Sequence, residues 1–234
     1  MQKSTFKGVR KIKLSKKTTW SILLIVLLII SSVTISGCQK PKQENAEAII
    51  TFQLSPSTDD VDDFLTLLGE YESGYESDTC YNVTPKEIQE KYSFKLFKFD
   101  TSCNSFLEYE GKIYPLGTGF GGLGATSFAI TDLNGDSAVE LYFTYSSGSG
   151  LHRSQAGYFD TASGEMSELD FIHYNNDSVL GADGQTLCLY DAQCNIRSFV
   201  DIELSAGEKL ASISWESGKI TAVGIETAGT ANTL

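Results

Sequence analysis

From residue 94 onward, short runs of β-branched and aromatic residues are separated by turn residues, and no helical period interrupts them. This rhythm restricts the fold more than any other property of the chain. The runs 94–99, 105–109, 112–116, 125–131 and 140–145 are followed by 152–160, 186–190, 196–204, 211–215 and 219–225. Between them stand Glu110-Gly111, a Ser/Gly stretch at 146–150, Ala162-Ser163-Gly164, Asp183-Gly184, Ala206-Gly207 and Ser217-Gly218, all good turn formers. In 140–145, Leu141, Phe143 and Tyr145 alternate with Tyr142 and Thr144, the two-residue period of a strand with one buried face. Short strands joined by tight turns pair antiparallel with their chain neighbours. A propeller would repeat one blade several times, and no second copy of any segment is found. A meander, sandwich or curled sheet is expected.

Upstream of this region the pattern changes. Residues 49–54 form a short apolar run that predicts a strand. Ser57-Thr58-Asp59-Asp60 then precedes Val61, Phe64, Leu65 and Leu68, which share one face of a helix predicted over about 57–68. Asp59, Asp60, Asp62 and Asp63 crowd its first turn, where the helix dipole favours negative charge. Thr84-Pro85-Lys86-Glu87 reads as a capping box with proline at the first helical position, opening a second helix that ends near Tyr92. The fold expected is α+β, mainly β: an antiparallel sheet or meander with two short N-terminal helices. It occupies a single domain over 49–226, with a helical part at about 57–92, a β part at about 94–226 and a frayed tail at 227–234.

The first residues serve another purpose. Lys3, Lys7, Arg10, Lys11, Lys13, Lys16 and Lys17 form a basic segment without a single acid, and residues 20–35 are apolar. This is the layout of a secretory signal, and the apolar run is shorter than the roughly 20 residues that span a bilayer. Ile35-Ser36-Gly37-Cys38 resembles the lipobox of bacterial lipoproteins. The resemblance implies removal of residues 1–37, a diacylglycerol on Cys38, and tethering to the cell membrane through the polar segment 38–48. The other reading is an uncleaved anchor; either way the domain lies on the extracytoplasmic face. The long basic segment points to a Gram-positive host.

All 30 acids follow Cys38, whereas 7 of the 18 Lys and Arg precede it, leaving 11 bases against 30 acids and a formal charge of −19. Such a surface lacks the cations that nucleic-acid binding requires. It also leaves membrane attachment to the lipid. A glycan or another envelope protein is the partner class this layout admits.

The most specific chemistry lies at Asp132-Leu133-Asn134-Gly135-Asp136, with Glu140 following. Oxygen side chains at the first, third, fifth and ninth positions of a tight loop are the spacing of a hard-cation site. An EF-hand is excluded, because Ser137 stands where its glycine belongs and Phe143 where its bidentate acid belongs. With strands on both sides, the loop resembles the calcium loop of FG-GAP and VCBS-type repeats. That resemblance implies Ca²⁺ held by the side chains of Asp132, Asn134, Asp136 and Glu140, with the Ala138 carbonyl as a fifth ligand. The competing reading is an Asx-rich turn that binds nothing.

Cys80, Cys103, Cys188 and Cys194 are an even set, which in an exported domain permits two disulfides. The five residues between Cys188 and Cys194 suit a hairpin with facing cysteines, which leaves Cys80 for Cys103. Free buried thiols are the alternative. No CxxC motif points to zinc or thiol redox chemistry.

Gly119, Gly121 and Gly124 spell G-x-G-x-x-G, but a strand rather than a helix follows, so no pyrophosphate site forms there. Ser149, His152 and Arg153 crowd together in 147–154, without the spacing of a nucleophile elbow. His173, among Tyr174, Asn175 and Asn176, reads as a surface-loop residue. The function expected is a non-catalytic binding or surface protein with one structural Ca²⁺. The second reading is a hydrolase whose site is built from loops 119–124 and 147–154.

Overall fold

The computed structural model describes residues 48–117 and 121–224. The expected signal segment, Cys38, the expected tether up to residue 47, Gly119 with its two neighbours, and the tail from residue 225 lie outside the described residues.

The protein is α+β and mainly β, built from three antiparallel sheets. The central sheet joins β1 (Ile50–Gln53), β6 (Gly124–Thr131), β7 (Glu140–Ser147), β8 (Arg153–Asp160) and β9 (Glu165–Tyr174), in that order. A second sheet runs β2 (Cys80–Asn82), β3 (Lys95–Phe99), β4 (Ser105–Tyr109) and β5 (Lys112–Pro115). A third runs β10 (Ser178–Asp183), β11 (Thr186–Ser198), β12 (Asp201–Glu216) and β13 (Lys219–Gly224). Two helices, α1 (Val61–Leu68) and α2 (Lys86–Tyr92), flank β2 in the chain.

β6 and β7 of the central sheet are covered on both faces, which explains why every residue of β6 is buried. Phe128, Ile130, Leu141 and Phe143 pack with Leu96 and Leu107 of the second sheet. Ala129, Tyr142 and Ala156, which point the other way, pack with Leu180, Leu187 and Ile213 of the third. The alternation in 140–145 therefore does not separate a buried face from a wet one, as its pattern predicts. It separates two buried faces, and Thr144 satisfies its hydroxyl on the Ser178 carbonyl at 3.0 Å. α1 covers the outer face of the second sheet, with Phe64 stacked on Phe97 at a ring separation of 3.9 Å.

Two polar groups stitch these layers. Lys98 has no exposed surface and donates from Nζ to the carbonyls of Leu123 (2.6 Å) and Ala125 (2.9 Å). Burial pulls it down to about 8 from the ordinary lysine value of 10.5. Gln53 of β1 both donates to the Leu204 carbonyl (2.7 Å) and accepts from the Leu204 N–H (3.0 Å), joining positions 151 residues apart.

Several expectations need correction. α1 starts at Val61, four residues later than predicted, because Ser57 pairs with Asn82 as a β-bridge and Asp60 adopts φ 61°. Thr84 does not cap α2: its Oγ1 accepts the Leu96 N–H at 2.6 Å, and Pro85 occupies the cap position. Ala206-Gly207 is not a turn but lies inside the 16-residue β12, opposite a register shift in β11; the chain reverses at Phe199-Val200 instead. That change removes the facing cysteines. Cys188 and Cys194 lie on the same strand, six residues and therefore roughly 20 Å apart, far beyond the reach of a disulfide. Cys80 and Cys103 are also free and buried. Cys80 packs in the aromatic cluster under α1, while Cys103 sits in the turn after β3, within electrostatic reach of Lys98.

Candidate metal centre

The loop 132–139 connects β6 to β7, the two fully enclosed strands of the central sheet, so both of its ends are held rigidly. Within it, the acidic side chains organise the backbone. Asp132 accepts the Gly135 N–H on Oδ1 (2.6 Å) and the Ser137 N–H on Oδ2 (2.9 Å). Asn134 Oδ1 accepts the Asp136 N–H, and Asp136 Oδ1 accepts the Ala138 N–H, both at 2.8 Å. Gly135 and Ser137 take φ values of 76° and 75°, the left-handed turn that lets the chain curl around its own carboxylates.

Glu140 completes the arrangement from the first position of β7. Its side chain has no exposed surface, and its Oε2 accepts the Leu133 N–H (2.9 Å) and the Tyr142 hydroxyl (3.0 Å). Its Oε1 is buried and has no hydrogen-bond partner among the described residues. Asp132, Asp136 and Glu140 each place an oxygen within 4.8 Å of the others. Burial, opposed by the two hydrogen bonds and reinforced by the charges of Asp132 and Asp136, lifts Glu140 to about 7 from the ordinary 4.5. Tyr142 is pushed up as well, first by burial and then by the Glu140 charge.

An all-oxygen donor set with three converging carboxylates fits a hard cation such as Ca²⁺ and not a softer metal. An orphaned buried carboxylate oxygen is costly, and a cation would satisfy it. Of the four side chains that the spacing singles out, the structure brings Asp132, Asp136 and Glu140 together. For Asn134 and Ala138 it shows the loop's internal hydrogen bonds. Tyr142 was not foreseen, although the strand period puts positions 140 and 142 on one face.

The second cluster is arranged differently. Ser149 is exposed in the turn between β7 and β8, and Arg153 is exposed at the start of β8. His152 places Nε2 at 3.1 Å from Oδ1 of Asp177, which precedes β10. The Cys194 thiol lies 3.7 Å from the other Asp177 oxygen. Partial burial and this carboxylate push the thiol up to about 11. Ser154 bonds Ser178 at 2.6 Å. His173 is not a loop residue: it lies on β9 and meets Asp191 of β11 at 2.8 Å. Gly121 and Gly122 press their backbone onto 146–148, so closely that a side chain on either would overlap it. The two loops of the hydrolase reading thus lie against one another, with Gly119 outside the described residues.

Compared with protein-family models, curated proteins and solved structures, the chain matches none.

Proposed function

We propose that this protein is a lipid-anchored extracytoplasmic lipoprotein that acts as a non-catalytic binding or surface module, with a structural Ca²⁺ in the 132–140 loop. The observation that carries the metal is the buried, unpartnered Oε1 of Glu140 beside Asp132 and Asp136. A divalent cation bridging these groups would cross-link the loop to the first residue of β7 and offset the mutual repulsion of three carboxylates. Its role is that of a staple. The non-catalytic part of the reading draws support from His152, which faces a carboxylate rather than a hydroxyl nucleophile. The Cys194 thiol, held at about 11, carries too little thiolate at neutral pH to act as one. The membrane anchor and the choice of a glycan or envelope protein as partner rest on the sequence.

Thermal unfolding with calcium and with chelator tests the staple. Saturation at 100 to 1,000 times Kd stabilises by about 3–4 kcal/mol, so chelator should lower the midpoint by several degrees. Terbium should bind in place of calcium and emit on tyrosine excitation, since Tyr142 bonds directly to Glu140. An unchanged midpoint together with silent terbium would rule out the site. Mass spectrometry of the membrane fraction should find a lipid on Cys38, and a chain still starting at Met1 would contradict processing. Loss of a hydrolytic activity in a folded His152→Ala variant would favour the hydrolase instead.

A further inference from the structure

Between Lys42 and Lys86 the chain holds no Lys, Arg or His, while eight carboxylates fall between Asp59 and Asp78. The second half of this stretch, after α1, lines an open cleft of about 530 Å³ together with Phe99. That volume is within the range of small-molecule sites. Tyr71, Tyr75 and Phe99 supply its aromatic surface, and Glu72, Glu76 and Asp78 supply carboxylates.

The cleft is built, not a loose excursion. The Tyr71 ring packs against Phe99 at 4.8 Å and edge-on against Phe106 at 5.6 Å, and its hydroxyl is bonded by Asn104 Nδ2. Asp78 Oδ1 accepts the N–H groups of Thr101 (2.9 Å) and Ser102 (3.3 Å), tying the far end of the loop to the turn after β3. The Thr101 hydroxyl adds a bond to the Ser77 carbonyl at 3.2 Å. Asp78 Oδ2 is buried and has no partner among the described residues. Tyr75 is 55% exposed, and Glu72 and Glu76 have no ion-pair partner among the described residues.

We propose that this cleft binds a small organic ammonium ion. Its carboxylates attract any ammonium ion by charge and accept the hydrogen bonds that a primary ammonium donates. Its tyrosine faces attract a cation through the ring quadrupole. A neutral sugar carries no charge for Glu72, Glu76 and Asp78 to attract. The proposal is independent of the metal loop, which lies between β6 and β7.

Titration calorimetry of the full-length protein in detergent tests it, with cadaverine, choline and methyl glucoside as probes, each in calcium and in chelator. Cadaverine and choline should bind under both conditions, more weakly as salt rises. Tyr75→Ala should weaken binding about fivefold to tenfold and Glu76→Gln should also weaken it. Glu165→Gln, an exposed acid on β9, should change nothing and so controls for the general negative charge. The choice between cadaverine and choline distinguishes a primary from a quaternary ammonium. Failure of both cations to bind, wild-type affinity in Tyr75→Ala and Glu76→Gln, or equal binding of the glucoside would overturn the proposal.

Discussion

At the residue scale, Glu140 carries the most testable physics. Its carboxyl titrates near 7 in the folded chain, chiefly because it is buried, against an ordinary 4.5. Without metal, the folded state therefore keeps a proton that the unfolded chain has released. The stability this contributes is fully present below pH 4.5 and is lost as pH rises through 7, by up to about 3 kcal/mol. Denaturant unfolding in chelator should show this decline in the wild type and a flatter profile in Glu140→Gln; parallel profiles would contradict it. With calcium the neutral-pH loss should disappear, since the cation takes the place of the proton. Ser137 offers a second test. It occupies φ 75°, where an L-residue is strained by about 1 kcal/mol, and it contributes only its backbone N–H to Asp132. Ser137→Gly should raise stability by up to that amount while leaving cation affinity unchanged, as paired unfolding and terbium titrations would show. The oxygen spacing of the loop was legible in the sequence because its oxygen-bearing side chains lie within nine residues of each other. The partnership of Tyr142 with Glu140 was not, since it depends on both being enclosed by another sheet.

At the element scale, local signals located most strands but misplaced the ends that tertiary contacts capture. Thr84 has the sequence of a cap, yet the neighbouring β3 offers it the Leu96 N–H, a partner that no local pattern reveals. Ala206-Gly207 has the composition of a turn, yet β11 accommodates it through a register shift. The same displaced turn keeps Cys188 and Cys194 apart on one strand, and Cys80 and Cys103 are free as well. Reductant should therefore leave the unfolding midpoint unchanged, and thiol titration of the denatured chain should find Cys80, Cys103, Cys188 and Cys194 all free; fewer would restore a disulfide. α1 is short, and its attachment rests on Phe64 in the aromatic cluster with Phe97 and Phe106. Phe64→Ala should cost about 3–5 kcal/mol, measured by denaturant unfolding, whereas the exposed Leu67→Ala should cost well under 1.

At the scale of the whole molecule, β6 and β7 of the central sheet are buried on both faces, so neither outer sheet can leave without exposing them. Unfolding should be a single transition. Fluorescence of Trp215, on β12 of the third sheet, should change together with far-UV circular dichroism, and chelator should shift both curves equally. Tyr142 belongs both to the Glu140 hydrogen-bond network and to the core shared with the third sheet, which couples the loop to that layer. Separate transitions would show that the layers melt independently. By itself the sequence determined the β class, the sites of most turns, the acidity of the chain after Cys38 and the oxygen spacing of the 132–140 loop. Each of these is encoded by residues close together in the chain. Only the tertiary structure decided that β7 has two buried faces, that Lys98 binds carbonyls of another sheet, and that Cys188 and Cys194 share one strand. Which strands stack, and what each face meets, depends on contacts between segments far apart in sequence, and periodicity cannot tell a second sheet from water.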